Sequence, residues 1–258
     1  MATLNAYENK QWSLMAESLL RDMKEELKEP LVSNWGKILK QILTNGKKLR
    51  VLDIGCGIGY FAILLARMGH IVTAIDSNRE ILNLAKIETK DEIFDYPIEF
   101  IYMDAEELTF KDETYDIVIS RYASWLFKNP KKAIKECYRV LNSKGKLINI
   151  DANWMMPFFD QSLKRRFQRD QEELRFRGYD EKSVYEDKDA VEYMMNLPLA
   201  NIKRPDWDKR ELEKIGFKEI QIDWLLNKKI WNEQYSIAYK NIPTFIIRAL
   251  KGESDNEK

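Results

Sequence analysis

The residues best suited to chemistry in this sequence gather around a glycine loop. Gly55-Cys56-Gly57-Ile58-Gly59 places glycines two apart. Glycines at such a point allow a tight turn and let a ligand approach the main chain closely. Asp53 stands two residues before the loop. A carboxylate there suits a ligand that carries an ammonium group and disfavours a pyrophosphate. Asp76-Ser77 and Asp104-Ala105 follow, each after an apolar segment. An acidic side chain at the first of these points accepts hydrogen bonds from both hydroxyls of a ribose. One at the second can accept from an adenine amino group, while the Ala105 N–H reaches a ring nitrogen.

Strands must end where these residues stand. Leu49–Ile54 reads as a short apolar strand, and Phe61–Met68 as a buried helix rich in Ala and Leu. A second strand runs from His70 to Ile75 and ends at Asp76. Ser77 and Glu80 form a capping box that opens a helix over about 78–89. Further strands fit Pro97–Tyr102, Tyr115–Ser120 and Lys146–Ile150. Asn129 and Pro130 open a helix with an apolar face of Ile134, Cys137, Tyr138 and Leu141. Strands alternating with helices at this spacing predict a parallel sheet covered on both faces, with ligands at the carboxyl ends of its strands.

The flanks read differently. An amphipathic helix is expected over 8–28, ended by Pro30, and a second over 33–44. After Asp151, Phe159, Leu163, Phe167 and Leu174 share one helical stripe that Gly178 stops. Another helical piece covers 184–196. Asp208 and Glu211 form a capping box, with Trp207 and Leu212 as a hydrophobic staple and Gly216 as the stop. Two last strands fit 217–225 and 244–250. The expected fold is therefore α/β: a Rossmann-like, seven-stranded, mostly parallel sheet with helices on both faces. It carries an N-terminal helical lid and a helical insertion after strand five. One domain is expected over 1–258, with N-terminal helices at 1–45, a cofactor-binding core at 46–151, the insertion at 152–206 and the closing helix and strands at 207–251.

Composition narrows the function. The 258 residues are 45% hydrophobic, a normal globular share. Lys plus Arg and Asp plus Glu number 42 each, so the basic excess of a nucleic-acid binder is missing. No apolar run approaches the roughly 18–20 residues of a membrane span. Met1-Ala2-Thr3-Leu4-Asn5 does not begin a signal peptide, so a cytoplasmic protein is expected. Cys56 and Cys137 make no disulfide framework and no CxxC zinc pair. His70 is the single histidine, and it lies at the amino end of its strand, away from the ligand. It is read as structural and not as a base. Cys56 is read as a spacer in the loop, and Asp116 as orienting the turn before the fourth strand.

Taken in order, these segments resemble the class I S-adenosylmethionine-dependent methyltransferases. Val51-Leu52-Asp53-Ile54-Gly55-Cys56-Gly57-Ile58-Gly59 is similar to that family's first motif. Ala74-Ile75-Asp76-Ser77 looks like its second-strand acidic motif, and Tyr102-Met103-Asp104-Ala105 like its adenine motif. Tyr115-Asp116-Ile117-Val118 and Tyr138-Arg139-Val140-Leu141 with Gly145-Lys146-Leu147 resemble the fourth-strand motif and the approach to the fifth strand. The resemblance spans about 45–151. It implies S-adenosylmethionine as cofactor and S-adenosylhomocysteine as product. Cofactor contacts are expected from Asp53, Gly55, Cys56, Gly57, Gly59, Asp76, Ser77, Asp104, Ala105 and Ser120. A rival register, Gly57-Ile58-Gly59-Tyr60-Phe61-Ala62, fits a dinucleotide fingerprint and an NAD-dependent oxidoreductase, but leaves Gly55 unexplained.

Methyl transfer chiefly requires alignment and exclusion of water. A base is needed only for a nucleophile that begins protonated at high pKa. No metal is expected, because Ser120-Arg121-Tyr122 puts a cation where a metal site would want a carboxylate. The Asn/Asp-Pro-Pro-Tyr motif of nucleobase methylation is absent at the same place. Asp151, Arg121 and Tyr122 are the expected catalytic group, Asp151 holding a substrate amine and Arg121 a carboxylate. Trp125, Asn153, Trp154 and Tyr179 are the expected substrate pocket. Ser120-Arg121, Trp125, Asp151-Ala152-Asn153-Trp154, Leu197-Pro198-Leu199 and Arg204-Pro205-Asp206-Trp207-Asp208 resemble a branch of small-molecule methyltransferases with no assigned substrate. Arg165, Arg166 and Arg169 alternate with acids and read as a solvated face. Tyr7 or Trp12 would bring an aromatic ring to the cofactor. The expected acceptor is a small molecule, with an amine nitrogen first and a carboxylate as the alternative. A cofactor-binding regulator without turnover is the reading from another class.

Overall fold

The structure, a computed structural model, describes residues 16–43, 47–179, 188–224 and 230–252. Its strands are β1 (Arg50–Ile54), β2 (Ile71–Asp76), β3 (Glu99–Tyr102), β4 (Tyr115–Arg121), β5 (Leu141–Ala152), β6 (Phe217–Asp223) and β7 (Thr244–Lys251). They form one seven-stranded sheet in the order β3-β2-β1-β4-β5-β7-β6. The first five run parallel, and β7 is antiparallel to both β5 and β6. The described helices are α1 (Ala16–Glu26), α2 (Leu31–Leu43), α3 (Tyr60–Arg67), α4 (Arg79–Thr89), α5 (Pro130–Val140), α6 (Met156–Phe159), α7 (Gln161–Phe176), α8 (Lys188–Met195), α9 (Asp206–Ile215) and α10 (Glu233–Ala238). Among the described residues no helix is long and apolar enough to cross a membrane.

The two faces of the sheet follow from strand alternation. Val51, Ile117, Ile119, Ile148 and Ile150 point to one face and pack against α2 and α3, whose contributions include Trp35, Leu39, Phe61 and Leu65. Leu52, Ile54, Val118 and Leu147 point to the other and meet Ala133, Cys137 and Val140 of α5 and Leu212 of α9. A third cluster, with Trp125, Trp154, Phe167, Met194 and Ile242, joins the end of β5 to α7 and α8. The parity matters for the site. Asp53 and Arg121 fall on the first face, while Ser120, Asn149 and Asp151 fall on the second.

Several local expectations change. The cap of α4 is Asn78, whose side chain accepts from the Glu80 and Ile81 N–H groups, so Ser77 lies outside the cap. The stripe from Phe159 breaks at Asp160, which caps α7 by accepting from Ser162 and Leu163, and Phe159 itself is 38% exposed. The capping box at Asp208 does not form. Pro205 stands at the cap position of α9, and the Asp208 carboxylate pairs with Arg204 instead. β5 begins earlier than the expected Lys146, through a register shift against β4. Helix α10 was not expected at all. Asn129 does cap α5, accepting from the Lys132 N–H, with Pro130 in the first turn. Tyr7 and Trp12 lie outside the described residues.

Candidate active site

The carboxyl ends of β1, β2, β3 and β4 border a cavity of about 440 Å³. Gly55, Cys56, Gly57, Asp76, Ser77, Asp104 and Ala105 line it, with Arg121 and Tyr122 from the end of β4. The loop has the shape that only glycine allows cheaply. Gly55 has φ +65°, and a Cβ there would stand 2.4 Å from the Ala123 methyl. Gly57 has φ +54°, and its N–H donates to Asp76 Oδ2 at 3.0 Å. The other Asp76 oxygen accepts from the Asn78 N–H at 2.9 Å. One carboxylate therefore braces both the glycine loop and the turn into α4. After β3, Asp104 Oδ1 accepts from the Glu106 N–H at 2.8 Å and braces its own turn.

Asp53 sits beneath the loop, 2% exposed, and its Oδ2 has no hydrogen-bond partner. Burial pushes its carboxyl up to about 7, the nearby Asp76 charge adds to this, and Arg121 opposes it. An orphaned carboxylate oxygen under a glycine loop, with acids at the ends of β2 and β3, has the chemistry that a cationic adenosine compound would require.

Residues 52–149 match the family described as methyltransferase domain. An uncharacterized protein of Methanocaldococcus jannaschii is 30% identical over 67% of this chain and 76% of its own length. This chain belongs to the class I S-adenosylmethionine-dependent methyltransferases. A demethylmenaquinone methyltransferase of Thermotoga maritima is 31% identical over 46% of this chain, a match that spans only half of that protein. Among solved structures, a phosphoethanolamine N-methyltransferase of Haemonchus contortus with S-adenosyl-L-methionine superposes with a TM-score of 0.60. It is 20% identical and covers 86% of this chain and 52% of its own.

The methyltransferase site fits S-adenosylmethionine on two observations. The unpartnered Asp53 Oδ2 suits its ammonium group, and a side chain at Gly57, which lines the cavity, would meet no protein atom within 4 Å, so the space beside that backbone is open. Asp76 and Asp104 would hold the ribose and the adenine. Three expected contacts do not line the cavity: Asp53, which lies beneath the loop, and two that sit elsewhere. Gly59 does not line the cavity. It has φ +89°, opens α3, and packs against the Phe100 ring. The Ser120 side chain points to the opposite face, where it lines a second cavity of about 40 Å³ with Asn149 and Arg204. Burial, with the Asp76 and Asp53 charges adding to it, holds the Cys56 thiol above its ordinary pKa, which disfavours the thiolate.

The expected substrate residues are redistributed more strongly. Asp151 does not line the cavity and has no open oxygen. Its Oδ2 accepts from Ser124 Oγ, the Trp125 N–H and Arg204 Nη1, and its Oδ1 from the Ala152 N–H and Trp154 Nε1. Asn153 holds the Arg204 backbone in two bonds, at 2.8 and 3.0 Å. Trp125, Asn153 and Trp154 thus belong to a structural knot around Arg204, and they and Tyr179 lie off the cavity wall. The reading of Asp151 as an amine holder is corrected here: five donors already saturate it. Arg165, Arg166 and Arg169 are exposed. His70 accepts from the Leu49 N–H at 3.4 Å, and burial lowers its pKa. Asp116 accepts from the Arg50 N–H and from Asn142.

Other residues take the vacated places. Glu26 of α1 receives two bonds from Arg121 Nη2, at 2.7 and 2.6 Å. Asp22, Leu19 and Met23 of the same helix also line the cavity. Trp231, Tyr235 and Tyr239 complete it, beside Tyr122. Trp231 stacks on Tyr122 with centroids 6.3 Å apart and lies 5.3 and 5.4 Å from Tyr235 and Tyr239. Burial pushes the Tyr122 phenol far above neutrality, so it acts as a ring and a donor, not as a base. The sequence did hold a sign of this wall: Trp231, Tyr235 and Tyr239 recur every four residues behind the capping residue Asn232.

Proposed function

We propose that the protein methylates the nitrogen of a small amine. The observation that carries this reading is the composition of the cavity beyond the glycine loop. Tyr122, Trp231, Tyr235 and Tyr239 form an aromatic wall, and the Asp22 carboxylate stands on the same cavity. Ring faces and carboxylates favour a cation in a site with little water. An amine nitrogen that gains a methyl group becomes such a cation as it reacts.

S-adenosylmethionine, when bound, supplies a methyl group on positively charged sulfur. The chain's own part is to position and to exclude. Asp53, Asp76 and Asp104 would hold the cofactor in one register over the glycine loop. The aromatic wall removes water and presents ring faces to the charge that develops on nitrogen. A neutral amine brings its own lone pair, so the reading requires no histidine base at the site. One cavity of about 440 Å³ shared with the cofactor favours a small acceptor.

The test is to incubate the protein and methyl-labelled cofactor with a cell metabolite extract, then identify the labelled compound. The expected product is a base-stable N-methylamine of low mass. A base-labile methyl ester, a labelled ring carbon or a labelled macromolecule would overturn the reading.

A further inference from the structure

The Glu26–Arg121 pair has no part in the reading above, yet it is built into the cavity. Arg121 ends β4, and Glu26 ends α1. Their side chains are only 13% and 10% exposed. Four rings, Trp35, Tyr60, Phe61 and Tyr122, surround the guanidinium at 4.4 to 5.3 Å. Tyr60 also donates to the Glu26 main-chain oxygen at 3.0 Å. The helix end and the arginine are thus fixed to each other.

The guanidinium is only partly used. An arginine binds a carboxylate best through two parallel N–H···O bonds from two nitrogens. Here both bonds to Glu26 leave from Nη2, and Nε is buried with no hydrogen-bond partner. A second orphan lies next to it. Asp53 pairs in register with Ile119 of β4, and Arg121 is two residues further along the same face. Asp53 Oδ2 is buried without a partner, and the Arg121 charge reaches it. Asp53 Oδ2 therefore lacks a donor, and the Nε of the Arg121 guanidinium lacks an acceptor. An α-amino-carboxylate group offers both on a single carbon.

We infer that Arg121 takes the α-carboxylate of the cofactor's amino-acid end, beside Asp53, and that Glu26 is the internal stand-in which this carboxylate displaces. The inference rests on the cofactor assignment and not on the identity of the acceptor. It gives α1 a defined role. Glu26 neutralises a buried guanidinium while the site is open, and it lowers cofactor affinity by competing for that guanidinium. Loading the cofactor then releases the Glu26 end of α1 from β4.

The test compares two ligands by titration calorimetry. S-adenosylhomocysteine carries the amino-acid group, while 5′-methylthioadenosine keeps the adenosine and the thioether but lacks that group. Arg121→Met is expected to weaken S-adenosylhomocysteine by about thirtyfold or more. Glu26→Gln is expected to tighten it by about fivefold, because the competing charge is gone. Methylthioadenosine should move by less than about twofold in both variants, which also shows that they fold. The proposal is overturned if Arg121→Met weakens both ligands equally or neither, or if Glu26→Gln weakens S-adenosylhomocysteine. If neither ligand binds the unaltered protein, the cofactor assignment falls, and the inference with it.

Discussion

Arg204 Nη1 lies 2.6 Å from Asp151 Oδ2, and neither side chain is more than 1% exposed. The same guanidinium donates to Asp208 and to Ser124 Oγ. The pair ties the start of α9 to the end of β5 and to the turn after β4. It accounts for why Ser124, Trp125, Asp151, Asn153, Arg204 and Asp208 occur together in one sequence: they are one buried hydrogen-bond network. Such a network confers a unique arrangement more than it confers stability, but removing one charge from it is expensive.

Arg204→Met is therefore expected to destabilise the protein by about 3–5 kcal/mol, since it strands two buried carboxylates. Urea denaturation should show a lower midpoint with an unchanged slope. Unchanged stability combined with lost acceptor binding would return Asp151 to a substrate role.

The glycine loop gives a graded prediction. Gly57→Ala meets open space and only the positive φ, so it should weaken cofactor binding or stability by about 1–2 kcal/mol. Gly55→Ala meets the same backbone strain and a Cβ 2.4 Å from the Ala123 methyl. It should cost a further ~1–3 kcal/mol from overpacking. Calorimetry with S-adenosylhomocysteine, alongside urea melts, checks the order. Equal losses at the two positions would mean that the Ala123 contact yields without cost.

The aromatic wall gives a split between two constants. Trp231→Leu removes a ring face from the acceptor end and leaves the residues around the adenosine untouched. The value of kcat/KM for the amine identified by the labelling experiment should fall about tenfold, the scale of one desolvated cation–π contact. The Kd of S-adenosylhomocysteine should stay within about twofold of the unaltered protein. Parallel losses in both would assign Trp231 to packing.

The glycine loop and its acidic companions were legible because their determinants are local. Asp53, Asp76 and Asp104 each sit at a fixed offset from a strand end, and strand ends show in apolar periodicity. The acceptor half was not, for two physical reasons. Asp151 and Arg121 both follow central strands, which suggests proximity, but strand alternation turns them to opposite faces. Counting that parity from Ile117 and Ile148 would have separated them. The residues that do reach the cavity, Glu26 and Trp231, lie about 100 positions on either side of Arg121 and meet it only through the tertiary fold. The Arg204–Asp151 ion pair spans 53 residues, so the motif around Arg204 and Asp208 does not reveal it.

Asp53 makes the pH dependence of the site predictable in sign. Burial raises its pKa from 3.8 to about 7, with Asp76 adding to the shift and Arg121 opposing it. A carboxyl whose folded pKa lies above its unfolded value stabilises the fold while it is neutral. That contribution is complete below about pH 4 and is lost as pH rises to about 7, a span worth roughly 4 kcal/mol. Asp53→Asn should flatten this part of the curve of stability against pH, so the variant gains on the unaltered protein as pH rises. Ligand binding should run the opposite way. An ammonium group favours the ionised carboxylate, so the affinity for S-adenosylhomocysteine should climb as pH rises from about 5.5 to about 7 and level off above. In Asp53→Asn the affinity should be lower and nearly flat over that range. Denaturation and calorimetry at each pH measure the two trends. An affinity in the unaltered protein that does not change between about pH 5.5 and 8 would mean that Asp53 is already ionised without its ligand.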